Sequence, residues 1–181
     1  MKYYLGIDVG SSESKATLID EKFSIVKTVS TPHDLLNPAP GYFEHDAEKV
    51  WWGDVCKLVH SILESCGILP EQIKAVGCSA LGADLVAVDK NCKPLRNAIL
   101  YGVDSRATKE IDWLNQKYGK QKVLEFNGRP LCSNDIPPKM LWLKNNEPDI
   151  FHKAYKLLTA SSFLTAKLTG KYTIDRFLAF G

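Results

Sequence analysis

The opening of the chain constrains its fold more than any other stretch. Tyr3-Tyr4-Leu5-Gly6-Ile7-Asp8-Val9 is aromatic and β-branched, and it stops at Gly10-Ser11-Ser12. Such a run reads as a strand that enters a tight turn and carries an acidic side chain almost to its end. Lys15-Ala16-Thr17-Leu18-Ile19-Asp20 alternates as a second strand, and Ser24-Ile25-Val26-Lys27-Thr28-Val29-Ser30 supplies a third. The connections between them are too short for crossovers, so an antiparallel meander is expected.

Residues 31–45 hold Pro32, Pro38, Pro40 and Gly41 and read as a loop. Asp46 then stands where an N-cap belongs. The apolar positions after it (Val50, Trp51, Val55, Leu58, Val59, Ile62, Leu63) recur at spacings of three and four, and Gly67 closes the helix. Ile73–Cys78 and Leu85–Val88 are the next strands, joined by a small-residue turn over Ser79–Asp84, and Ala98–Tyr101 is a short apolar stretch beyond. Helical patterns follow from about Ser105 to Tyr118, after Pro137-Pro138, from Pro148, and from Leu157 to Leu168 before Gly170. No linker divides the chain, and the order suits an α/β domain with a mixed sheet.

At 181 residues the chain can bury a real core without staples. Its 45% hydrophobic and 24% charged residues exclude a disordered chain, a collagen-like repeat and a multi-span membrane protein. Lys+Arg 23 against Asp+Glu 21, spread along the chain, give no reason to expect a nucleic acid or a membrane surface as partner. Cys56, Cys66, Cys78, Cys92 and Cys132 form no C-x-x-C pair and read as reduced thiols, so a cytoplasmic location is expected.

Chemistry concentrates in Gly6-Ile7-Asp8-Val9-Gly10-Ser11-Ser12-Glu13-Ser14-Lys15. Turn amides with the hydroxyls of Ser11 and Ser12 can face a phosphate, and a nearby carboxylate can hold a hydrated Mg²⁺. The stretch fits neither the P-loop nor the dinucleotide fingerprint. An ordinary hairpin with Asp8 as a turn residue is the plain alternative. His33, His45, His60 and His152 are scattered with no nucleophile beside them, and the four tryptophans read as core aromatics.

This opening, G-I-D-x-G-[ST]-S-x-x-K, resembles the first phosphate motif of the actin, hexokinase and 70-kDa heat-shock superfamily, and most closely the FGGY carbohydrate kinases. Later stretches agree in order. Pro40-Gly41-Tyr42-Phe43-Glu44-His45-Asp46 is similar to that family's P-G-W-x-E-x-D segment, and Pro94-Leu95-Arg96 through Asp104-Ser105-Arg106 to its P-x-R-P-A-I-L-W-x-D-x-R segment. Lys139-Met140-Leu141-Trp142-Leu143 with Pro148 resembles K-x-L-W-x-x-x-x-x-P, and Leu168-Thr169-Gly170 with Asp175 fits L-T-G-x-x-x-x-D. The match runs from Tyr4 to Asp175.

The resemblance implies an RNase H-like lobe with a mixed five-stranded sheet and flanking helices. Residues 1–181 would be the N-terminal, sugar-binding lobe of a kinase that transfers phosphoryl from ATP, with Mg²⁺, to a hydroxyl of a ketopentose-like (xylulose-like) sugar. By matching position Asp8 stands near the metal, and Gly10, Ser11 and Ser12 line the phosphate turn. Gly82 and Ala83 fall where family members place polar sugar contacts, and neither offers a side-chain hydrogen bond. Asp84 is one residue on. Asp104 stands where it would bind sugar or cap the next helix, and Asn134 falls where glycerol kinases place a substrate-contacting Tyr. The family's general base, in a G-x-x-D-[NQ] stretch, has no counterpart before Gly181, and neither does the ATP-binding C-terminal lobe. An inactive isolated chain is therefore expected, with sugar, ATP and the missing lobe as partners and room for a homodimer. An actin- or heat-shock-type ATPase fragment and a non-catalytic sugar-binding or interaction module are the alternatives.

Overall fold

A computed structural model describes residues 1–180. Strands β1 (Tyr3–Val9), β2 (Glu13–Asp20) and β3 (Ile25–Pro32) form the expected meander, with β1–β2 and β2–β3 both antiparallel. On β1, Leu5, Ile7 and Val9 face the core while Gly6 and Asp8 face outward, which is the period-two alternation of a sheet with one covered face. A two-residue strand, β4 (Glu44–His45), precedes a π-helical turn at Ala47–Trp52, which runs into helix α1 (Gly53–Cys66). Asp46 caps the π-helical turn that leads into α1, its carboxylate accepting the Lys49 N–H at 3.0 Å, and Gly67 ends α1 in the left-handed conformation. Val55, Leu58 and Ile62 of α1 are buried against the sheet's inner face.

Strand β5 (Ile73–Ala80) follows a short 3₁₀ turn and adds to β1 in parallel, giving the order β3-β2-β1-β5. The sheet is mixed, as expected, but has four strands rather than five. The next strand, β6 (Val86–Val88), leaves it and pairs with β8 (Lys156–Leu158), while β7 (Ala98–Ile99) pairs with β4. Helices α2 (Thr108–Tyr118), α3 (Lys120–Asn127), α4 (Ile136–Asn146), α5 (Pro148–Lys153), α6 (Ala160–Thr169) and α7 (Arg176–Phe180) complete the chain.

Several elements differ from expectation, among them β3, which runs on to Pro32, and β4, which lies within the expected loop. β5 continues through Ala80, because its backbone pairs with β1 to the end of that strand. Leu157-Leu158 joins β8, an apolar run that is equally compatible with strand and helix until β6 supplies its partner. Helix α3 was not legible, since only Val123 of its eight residues is buried. α2 and α4 pack over a second, smaller core built from Leu85, Ala87, Ile99, Ala107, Trp142 and Leu143. Among the described residues no helix is long and apolar enough to cross a membrane, and the five cysteines are free thiols.

Candidate active site

Asp8 stands on the open face of the sheet. Its carboxylate accepts a hydrogen bond from the Ser79 hydroxyl, which the parallel register sets directly opposite it on β5. Lys15 is its neighbour across β2, and the Lys15 ammonium pairs with Glu13 at 2.9 Å. Together Gly6, Asp8, Lys15, Thr17, Gly77 and Ser79 line a shallow depression. Gly6 and Gly77, opposite one another in the register, keep its floor free of side chains. Among the described residues no cluster of three His, Cys, Asp or Glu side chains could ligate a metal. One exposed carboxylate therefore fits a cation that keeps most of its water and phosphate oxygens, which is how Mg²⁺ is commonly held.

The turn after β1 is closed by the Gly10 N–H donating to the Glu13 carbonyl at 3.0 Å. A Cβ at residue 10 would lie 2.9 Å from that oxygen, so the turn requires glycine. Ser11 and Ser12 are exposed, and neither of their N–H groups has an acceptor among the described residues. Beneath the turn lies a polar cluster that sequence reasoning missed. His33 Nε2 is 3.1 Å from the Gly10 carbonyl and its Nδ1 is 2.8 Å from Asp54. His45 Nε2 is 3.1 Å from the Ser11 carbonyl, and its Nδ1 accepts the Trp51 indole N–H at 3.0 Å. Ser14 donates to the same Asp54 oxygen at 2.8 Å, and the two imidazoles meet edge to face at 4.9 Å. Burial, with the charge of His33, pushes the His45 pKa down to about 4. Only their order in the chain was visible beforehand; that two histidines 12 residues apart in sequence converge on one turn depends on the fold.

The other family-like segments converge elsewhere. Arg106 is buried and reaches Glu44 and Asp104, each at 2.8 Å, while Arg96 adds contacts of 2.6 Å to Glu44 and 2.8 Å to Glu147. The Arg106 guanidinium lies 4.2 Å from the centre of the Tyr42 ring and 4.9 Å from that of Trp142. Burial alone would push the Glu44 pKa up, but hydrogen bonds from Arg106 and the charge of Arg96 outweigh it and hold it below the usual carboxylate range. Asp104 also accepts the Phe43 N–H at 2.7 Å. It does not cap α2, whose first residue is Thr108, and both its oxygens are engaged in this cluster.

Of the remaining candidates, Gly82 and Ala83 lie at the same end of the sheet as Asp8, because the Leu81 N–H donates to the Val9 carbonyl at 3.0 Å. Asp84 is turned away from solvent and fully buried at the N-terminus of α6. There one carboxylate oxygen accepts the Ala160 N–H at 3.0 Å and the other has no partner among the described residues. Burial raises its pKa well above the ordinary value. Lys139, also buried, donates to the carbonyls of Ser133 and Asp135 at 2.5 and 3.0 Å; burial lowers its pKa to about 8 against the pull of Asp84, Asp104 and Asp135. Asn134 is exposed on a loop joined to Gly102 through Ser133, whose hydroxyl donates to the Gly102 carbonyl at 3.0 Å. The structure thus groups Asp8 with the Gly10-Ser11-Ser12 turn and the Gly82-Ala83 end of the sheet. It sets Asp84 and Asp104 in buried polar clusters and Asn134 on a separate loop.

Residues 3–179 match the N-terminal domain of the FGGY family of carbohydrate kinases. The chain belongs to that family. A probable L-xylulose kinase from Haemophilus influenzae is 31% identical over 94% of this chain, and glycerol kinase 2 from Thermotoga maritima is 31% identical over 94%. The crystal structure of a ligand-bound xylulose kinase from Lactobacillus acidophilus superimposes with a TM-score of 0.87 at 25% identity, covering 100% of this chain and 36% of that one. The chain spans about a third of the length of the curated relatives it matches, 35% for each of the two named. The expected α/β lobe of the FGGY kinases is therefore the fold observed. Three of the later FGGY-like segments now have a physical reading, since Tyr42, Glu44, Arg96, Asp104, Arg106 and Trp142 come from them and meet in one largely buried cluster.

Proposed function

We propose that this FGGY domain forms the sugar-binding side of a kinase that moves the terminal phosphoryl of ATP onto a hydroxyl of a ketopentose-like, xylulose-like sugar. The observation that carries this reading is the placement of Asp8, exposed at the open end of β1 beside a turn whose Ser11 and Ser12 amides are free to meet an anion. Mg²⁺ bound with ATP would neutralise charge on the transferring group. Asp8 would orient the water around that cation, and Gly10, Ser11 and Ser12 would hold phosphate oxygens, so the chain would act by positioning and charge stabilisation. Sugar would lie over the Gly82-Ala83 end of the sheet and be met there by backbone groups. Asn134 would approach from its loop, while Asp84 and Asp104, buried in their own clusters, would support the surrounding fold rather than touch the sugar. Relatives named as xylulose kinases favour a ketopentose, while the glycerol kinase among them marks a shorter polyol as the competing substrate.

No general base is assigned among these residues, and the relatives are about three times longer. We therefore propose that turnover requires a second lobe that carries the base and the adenosine site, in a cytoplasmic enzyme. The 181-residue chain, incubated with ATP and a panel of ketoses and polyols, should show no turnover; turnover at ordinary enzyme rates would refute that requirement. In a polypeptide joining this chain to its second lobe, Asp8→Asn should lower kcat by roughly 10²–10³, the size seen when a charge-stabilising group is lost. Unchanged kcat would remove Asp8 from the reaction.

A further inference from the structure

The polar cluster beneath the turn has a geometric consequence. In a trans peptide the carbonyl and the following N–H point in opposite directions, and no peptide bond among the described residues is cis. Three consecutive carbonyls of the turn are held by the two histidines: Gly10 by His33 Nε2 at 3.1 Å, Ser11 by His45 Nε2 at 3.1 Å, and Ser12 by the His33 backbone N–H at 3.0 Å. The N–H groups of Ser11, Ser12 and Glu13 must then point away from the histidines. A row of successive amides facing one way is an anion-binding concavity.

The protons in this cluster are determined by its partners. The Trp51 indole can only donate, so His45 Nδ1 is an acceptor and its ring proton sits on Nε2, facing the Ser11 carbonyl. Carbonyl Gly10 can only accept, so His33 Nε2 must carry a proton. Its Nδ1 lies 2.8 Å from the Asp54 carboxylate, which the Ser14 hydroxyl also meets. His45 stays neutral because burial disfavours its charged form.

We propose that His33 and His45 are positioning residues for the phosphate turn, holding its carbonyls inward so that the Ser11 and Ser12 amides remain aimed at the phosphate. This rests on the phosphate-binding role of the turn proposed above. Neither histidine touches the reacting atoms; each acts through a backbone carbonyl. A glutamine at 45 could repeat both bonds, with its amide N–H donating to Ser11 and its oxygen accepting from Trp51, whereas a leucine could make neither.

The test uses ¹⁵N NMR of the 181-residue chain, with inorganic phosphate and MgATP as probes. In the wild type, ring ¹⁵N shifts should show His45 as the Nε2–H tautomer, and phosphate should shift the Ser11 and Ser12 amides. His45→Leu should weaken that binding about five- to tenfold, the effect of misaligning a donor to a charged acceptor, and His45→Gln should restore it. If the leucine variant does not fold, His45→Asn, one methylene too short to span both partners, takes its place. An Nδ1–H tautomer, wild-type phosphate binding in the leucine or asparagine variant, or a glutamine variant as weak as these, would overturn the positioning role and leave the phosphate turn standing. Ser11 and Ser12 amides unmoved by either probe, with the tautomer as expected, would instead overturn the phosphate reading and this role with it.

Discussion

The molecule holds two polar centres built on opposite physical plans. Around Arg106, charges are buried and fully paired, and aromatic rings cover both the guanidinium and its neighbours. Around Asp8, the carboxylate and the serines of the turn lie open to solvent, and the pairing is displaced one layer down, onto His33, His45 and Asp54. The first centre welds loop, strand and helix together across more than sixty residues of sequence. The second spends its inner hydrogen bonds on backbone carbonyls and, apart from the Ser79–Asp8 bond and the Lys15–Glu13 pair, leaves its outer groups open to solvent. The later FGGY-like segments thus meet in a paired, mostly buried cluster, while the chemistry proposed for this domain sits on a short turn whose carbonyls are held from beneath.

The contrast should be sharpest at Arg106. Arg106→Met would leave Glu44 and Asp104 buried without that cation, and should cost about 3–5 kcal/mol, read from the urea midpoint. A loss below about 1 kcal/mol, the scale of an exposed ion pair, would mean that the cluster is wetter than its burial indicates.

Acid should expose the second centre next. The folded pKa of His45, about 4, lies below its unfolded value near 6.5, so its contribution is intact above pH 6.5 and is lost as pH falls toward 4. The full loss is on the order of 3 kcal/mol, and His45→Gln should flatten the stability curve across that window. Glu44, with its depressed pKa, adds a further loss as pH falls through the ordinary carboxylate range and below it. A curve for the glutamine variant as steep as the wild type between pH 6.5 and 5 would assign the slope to another group.

The smallest effect on folding is expected at Asp8. Its side chain is exposed, so Asp8→Asn should change stability by no more than about 0.5 kcal/mol, whatever it does to the kcat proposed for the two-lobed polypeptide. A large destabilisation would make Asp8 a second architectural residue and erase the difference between the two centres.

Much of the frame was readable in one dimension. The alternation of β1 and β2, the glycine-dependent turn, the Asp46 cap and the Gly67 stop are local signals, each decided within a few residues. What failed to read was non-local. Leu157-Leu158 became a strand because Val86–Val88 lay beside it, and the expected five-stranded sheet stops at four because β6 turns away to make that pair. Asp104 looked like a helix cap or a sugar ligand; its actual partners, Phe43 and Arg106, include one 61 residues distant.

From the order of residues alone came the meander, its acidic end, the turn and membership of the FGGY kinases, because propensity, alternation and spaced motifs are written along the chain. Folding alone decided that Ser79 would reach Asp8, that two scattered histidines would meet the carbonyls of Gly10 and Ser11, and that Asp84 would be sealed away from solvent. Those outcomes hang on sheet register and on which side chains are pressed together when the core closes. No short window of sequence contains both partners of such a bond.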